Sequence, residues 1–290
     1  MSSVATRIAD RRFQHYGGVR HGELYATLRL FQSSFLRTLG FGKGFRSFVM
    51  PILLVVISYF PAVVALIGAL AGSPPGFGPS YRDLVPFSAF ALYLFVALIG
   101  PELLCPDRRS GAIVMYMTAC LRPATYLVAK VVAMISLLAL LTVGPGAMLF
   151  VAQTYLGNDP KDGLEVLRLV GRIIAAGLVY ATFFGILGLA AASLTDRRAF
   201  AAAGIILALV LVSVVLGLAE STLNAPHWVA VFNLTELPAE AAYRLYNDFP
   251  SHYSAASHTF RTPQLTGGLA AWCVAGLGLL FWRYRSEGTQ

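Results

Sequence analysis

Six stretches of the chain carry no charged residue: Ser47–Tyr81, Leu84–Pro101, Val131–Asn158, Ile173–Thr195, Ala199–Ala219 and Thr262–Trp282. A helix needs about 20 apolar residues to cross a hydrocarbon core about 30 Å thick. Only helices and closed barrels satisfy their own backbone in lipid, and these runs lack the alternation of barrel strands. The pattern predicts an all-α, polytopic membrane protein with six transmembrane helices, near residues 49–71, 84–104, 126–151, 169–194, 199–219 and 265–282.

The first span is closed by Gly72-Ser73-Pro74-Pro75-Gly76, a strong breaker. Only Thr195-Asp196-Arg197-Arg198 separates the fourth from the fifth, which predicts a tight hairpin. Before the first span, from Gly22 to Arg46, Leu24, Leu28, Phe31, Phe35 and Leu39 recur at helical spacing, while Arg29, Gln32, Ser33 and Arg37 lie off that stripe. This is the pattern of an amphipathic helix lying in the membrane interface. The domain reading is a polar N-terminal part with that helix over 1–46, a six-helix membrane domain over 47–283, and a short tail over 284–290. Trp272 and Trp282 are candidate interfacial anchors of the last span.

Composition agrees: 57% of the 290 residues are hydrophobic and 12% are charged, against about 25% charged in soluble proteins. The net charge is +8. Of the 22 Lys and Arg, six (Arg82, Lys161, Arg168, Arg172, Arg244 and Arg261) fall on one side of the predicted topology and the other sixteen on the side of the termini. The positive-inside rule then places both termini in the cytoplasm. The basic excess is therefore a topology signal, with attraction to anionic lipid as a corollary. No basic stripe with interleaved aromatics stands clear of the spans, so nucleic acid is not an expected partner. The first apolar run is too long and too far from the N-terminus for a cleavable signal peptide. Cys105, Cys120 and Cys273 are few and scattered, and no disulfide is expected.

Catalytic patterns are missing. No HExxH, CxxC or nucleophile motif occurs, and His252 and His258 lack a usual zinc spacing. Gly42-Lys43-Gly44 lacks the Ser or Thr of a phosphate-binding loop. The predicted spans are nearly empty of ionisable groups, which argues against ion-coupled transport. Glu102 stands near one end of the second span, just after Gly100-Pro101, where an unpaired carboxylate is costly. The triplet Asp-Arg-Arg occurs at 10–12, 107–109 and 196–198, always on the cytoplasmic side of this topology. Stop-transfer anchoring is the plain reading of the first and third.

The segment from Gly100 to Lys130 reads GPELLCPDRRSGAIVMYMTACLRPATYLVAK. It resembles the cytoplasmic segment of ABC transporter permeases of the ABC-2 class, in which a charged stretch leads to a Gly, a short apolar helix, Arg-Pro and a Lys at the next span. The runs Arg12–Arg20 and Leu39–Gly44 resemble the start of a subgroup of the same family. Independently, Gly111–Leu121 is apolar, about three turns long, too short to span, and flanked by Pro106 and Pro123.

The resemblance implies a type V exporter-like fold. Residues 111–122 would form a coupling helix seated in a groove of a separate ATPase subunit. Ile113, Met115, Tyr116 and Met117 would be its apolar contacts, Gly111 and Arg122 its ends, and Asp107, Arg108 and Arg109 charge pairs at its rim, with Glu102 closer to the membrane. The loop 220–261 would hold re-entrant or external helices. Pro226–Phe232 is apolar enough to dip into the membrane, and Pro238–Phe249 fits a short amphipathic helix. The expected assembly is a homodimer of permeases with two ATPase copies in a bacterial inner membrane. ATP and Mg would bind the ATPases, and this chain would hold no cofactor and no metal. The alternatives are a secondary transporter or channel, and a membrane subunit that regulates without transporting.

Overall fold

The computed structural model describes residues 22–40, 45–72, 79–111, 122–157, 159, 162–222, 231–247 and 262–287. They hold eight helices: α1 (Glu23–Thr38), α2 (Phe45–Leu70), α3 (Tyr81–Arg109), α4 (Pro123–Leu156), α5 (Gly163–Ala192), α6 (Arg198–Thr222), α7 (Glu236–Tyr246) and α8 (Thr262–Glu287). All but α1 and α7 are long and apolar enough to cross a membrane. The chain is a multi-pass helical membrane protein.

Burial sorts the spans. The apolar windows of α5 and α3 are 67% and 59% buried, whereas those of α6 and α8 are 17% and 22% buried. Thus α3, α4 and α5 form the centre, α2 packs along α4, α6 lies mainly on α3 and α8 on α5. Phe95, Met134, Leu137, Leu138, Phe183 and Phe184 fill the core between them. Apolar burial drives little association within lipid, so close backbone approach and interhelical hydrogen bonds matter more. Gly177 on α5 shows this: a Cβ there would lie 2.5 Å from Val143 Cγ2 and 3.0 Å from the Val143 backbone N. Thr142 Oγ1 donates to the Gly177 carbonyl at 2.9 Å in the same contact.

Proline shapes the α2–α4 contact. Pro145 lies inside α4 and has no N–H to offer the carbonyl of Leu141. Ser58 on α2 supplies the missing donor, its Oγ 2.8 Å from that carbonyl. Tyr59 OH donates to the neighbouring Leu140 carbonyl at 2.9 Å. A carbonyl left bare in this setting would be costly.

Two boundaries differ from the sequence reading. The helix through Glu102 runs on to Arg109, with Pro101 and Pro106 inside it, so the residues read as the start of a loop are helical. The N-terminal helix ends at Thr38 rather than Arg46, where Gly40 turns at φ +94°. Its buried face is Leu30, Ser34 and Thr38, while Leu24 and Leu28 are exposed. The stripe of leucines therefore points away from the bundle at its first turns, because the polar Ser34 is needed inside, as described below.

Between α6 and α8, residues 231–247 pack into the bundle. Thr235 Oγ1 donates to Ser213 Oγ at 2.9 Å, and Ser213 lies about 22 Å along α6 from its start. Trp272, about 15 Å into α8, donates from Nε1 to the Val231 carbonyl at 3.1 Å. Residues 231–235 are thus near mid-depth. From there α7, eleven residues long, rises about 16 Å toward the end of α3 that bears Tyr81. Trp272 thereby ties residue 231 to α8. α7 runs from Glu236 to Tyr246, so it starts two residues before the expected 238–249 helix and stops three residues short of its end, at the αL turn of Asn247 (φ 55°).

Candidate site: an ionic lattice at the α1 face

At one face, which α1 covers, meet the C-terminal ends of α3 and α5 and the N-terminal ends of α4 and α6. The segment 112–121 leaves and returns here, between Gly111 and Arg122. Gly111 has φ +67°, a left-handed conformation that ends α3 and suits glycine. Arg122 is the exposed N-cap of α4, followed by Pro123 at the first helical position. Thr125 Oγ1 donates to Glu23 Oε1 at 2.9 Å and ties this end to α1.

The first half of the lattice centres on Asp107. Its side chain is 6% exposed. Lys130 Nζ lies 2.7 Å from Oδ2, Tyr126 OH donates to the same oxygen at 3.0 Å, and Arg37 Nη1 lies 3.7 Å from Oδ1. Lys130 also donates to Ser34 Oγ at 3.0 Å. The Tyr126 ring is 5.9 Å from that of Tyr284 on α8. Two charges are tolerated at this burial because each has a counter-ion and further hydrogen bonds. One aspartate thereby joins α1, α3 and α4.

The second half joins α3 to the α5–α6 turn. Arg108, 7% exposed at its side chain, places Nη2 3.1 Å from Asp196 Oδ1. Its Nη1 donates to the Ser193 carbonyl at 2.6 Å. That carbonyl is at the C-cap of α5, where helix carbonyls lack partners and a cation is favoured. Glu102 pairs with Arg198 at the start of α6. Cys105 Sγ faces the Thr195 carbonyl at 3.5 Å. The second and third Asp-Arg-Arg triplets therefore interlock: Arg108 of one holds Asp196 of the other, and Arg198 holds Glu102.

Several expectations change. Asp107 and Arg108 are interior groups, not rim charges, because the α3 helix continues far enough to turn them toward Lys130 and Asp196. Arg109 is exposed. Ile113, Met115, Tyr116 and Met117 lie outside the described residues. The triplet at 196–198 does more than stop a helix. Lys130, Tyr126, Ser34, Arg37, Ser193, Asp196 and Arg198 were not among the candidate residues. The repeated triplet was the available signal for two of them, since both copies fall on one side of the predicted topology.

Beyond this lattice, an ionisable group enters the bundle on α7. Glu240 is 1% exposed. Its Oε1 receives Arg244 Nε at 2.8 Å and Nη2 at 2.7 Å, while Oε2 has no hydrogen-bond partner among the described residues. Hydropathy of the spans could not reveal it, because α7 is not a span. On the same helix burial pushes the phenols of Tyr243 and Tyr246 up to about 12, so both are neutral in the physiological range. Among the described residues no group of three or more His, Cys, Asp or Glu is arranged to hold a metal. Cys105 and Cys273 are free thiols. No protein-family model and no curated protein sequence matches the chain.

Proposed function

We propose that this chain is the membrane subunit of an ATP-driven ABC exporter of the ABC-2 class, working as a homodimer with two separate ATPase subunits. The observation that carries the reading is the lattice at the base of residues 112–121. Gly111 ends a helix that Asp107, Arg108 and Glu102 tie to α1, α4, α5 and α6. A displacement of this segment by a partner is thus delivered to five helices together rather than absorbed in one loop. The buried, hydrogen-bonded Asp107–Lys130 pair at its centre suits that task, since its geometry is stiff and its disruption costly. The α1 face is then cytoplasmic, in line with the basic bias, and the re-entrant α7 closes the opposite side. The chain has no nucleotide-binding motif, so hydrolysis belongs to the partner.

The test is co-expression with a separate ABC ATPase, followed by reconstitution in lipid. The complex hydrolyses ATP and moves solute, and the purified chain alone does neither. Tyr116→Asp or Met117→Asp releases the ATPase or uncouples hydrolysis from transport. Solute flux through the chain alone would place it with channels or secondary transporters. Assembly without flux would make it a regulatory subunit.

A further inference from the structure

We propose that the groove between the C-terminal end of α3 and the α5–α6 turn binds the phosphate headgroup of an anionic phospholipid, with an acyl chain in the adjoining apolar cleft. This inference stands apart from the transport reading. The groove, about 1230 Å³, is lined by Arg108, Arg109, Asp196, Arg197 and Arg198. Two of its four arginines are neutralised within the chain, Arg108 by Asp196 and Arg198 by Glu102. Arg109 and Arg197 are exposed, and among the described residues no carboxylate pairs with either. Two uncompensated guanidiniums from different elements therefore line one concavity. Guanidinium groups are suited to phosphate oxygens by charge and by fork geometry.

The surroundings select a lipid. The Arg197 guanidinium carbon lies 5.8 Å from the centre of the Phe200 ring, and Phe200 is itself 65% exposed. Leu194, on the other side of the turn, is 61% exposed. Large apolar side chains flanking paired cations mark the level where headgroups meet acyl chains. Leu194 also lines an apolar cleft of about 260 Å³, with Leu187, Ile205, Trp272, Gly276 and Leu279. The groove and the cleft are thus lined by neighbouring residues of the same turn, Asp196 and Leu194. An acidic peptide would satisfy the arginines and leave the cleft unused. A phospholipid of the leaflet on the α1 face uses both.

The full chain is reconstituted in nanodiscs of phosphatidylcholine with and without phosphatidylglycerol, with bound lipid read by native mass spectrometry and stability by thermal unfolding. Phosphatidylglycerol is retained and raises the unfolding temperature. In R109A/R197A its apparent affinity falls about 30-fold, from the loss of two interfacial cations. R109K/R197K keeps most of the binding, which separates lost charge from lost fold. Ala208→Trp, which fills the cleft and spares the arginines, also weakens retention. Wild-type retention by R109A/R197A overturns the proposal. So does equal stabilisation in phosphatidylcholine by soluble glycerol phosphate or by an oligoglutamate peptide. Unchanged retention in Ala208→Trp overturns the acyl-chain half.

Discussion

Lys130 Nζ lies 2.7 Å from Asp107 Oδ2, and both side chains are buried. The pair joins two helices of span length, so its removal is felt by the bundle. Lys130→Met leaves a buried carboxylate with only Tyr126 and the more distant Arg37, and is expected to cost about 3–5 kcal/mol. Asp107→Asn strands the ammonium and costs a similar amount. The double variant Asp107→Asn/Lys130→Met is expected to recover much of the loss, since neither charge is then buried alone. Thermal unfolding of the four proteins in detergent checks this; additive losses would show that the two groups act independently.

Arg108 and Arg109 are neighbours in sequence with different fates. Arg108→Ala bares the Ser193 carbonyl and removes the partner of Asp196. It is expected to destabilise by about 1.5–3 kcal/mol, the range for hydrogen bonds to charged groups. Arg109→Ala, at an exposed position, is expected to stay within about 0.5 kcal/mol. Equal unfolding temperatures for the two variants would contradict the interlocked triplets.

The Ser58–Leu141 contact makes a prediction that depends on Pro145. Ser58→Ala is expected to cost about 1 kcal/mol, in the range of interhelical hydrogen bonds in membranes. In a Pro145→Ala background the new N–H can serve the Leu141 carbonyl, and the cost of Ser58→Ala should nearly vanish. A double-mutant cycle measures the difference. The same cost in both backgrounds would mean that the proline is not what leaves the carbonyl open.

Topology is testable without a partner. In a background lacking native cysteines, single cysteines at Gly76 and Asn158 should react with an impermeant maleimide from outside the cell. One at Ser110 should react only after permeabilisation. External labelling at Ser110 would reverse the faces and place the ionic lattice outside.

Six spans were legible in the chain because a charge-free run of sufficient length has few other uses, and lipid permits few other folds. The ends of the segment after α3 were legible because end signals are local: Gly111 closes α3 and Pro123 opens α4, while residues 112–121 lie outside the described residues. The α1 stripe was read by periodicity and came out rotated, because a charge on another helix decided its inner face. Ser34 is buried to meet Lys130, ninety-six positions away. Nothing in the 22–46 pattern contains that demand.

The chain by itself determined what is local: the number of spans, the bias of basic residues, the glycine and proline punctuation, and the missing catalytic motifs. The tertiary structure alone decided which charges pair and at what depth. Asp107, Arg108 and Glu102 look alike in sequence as polar residues near a span end. They became partners of Lys130, Asp196 and Arg198 because helix packing brought distant counter-charges to them; the Asp107–Lys130 pair is buried on both sides, where a charge is stable only with a partner, while Asp196 and Arg198 stay largely exposed. It also decided that residues 231–246 re-enter the bundle and carry Glu240 inside. An eleven-residue helix is too short to register as membrane-embedded, and only its packing against α5, α8 and α3 reveals its depth.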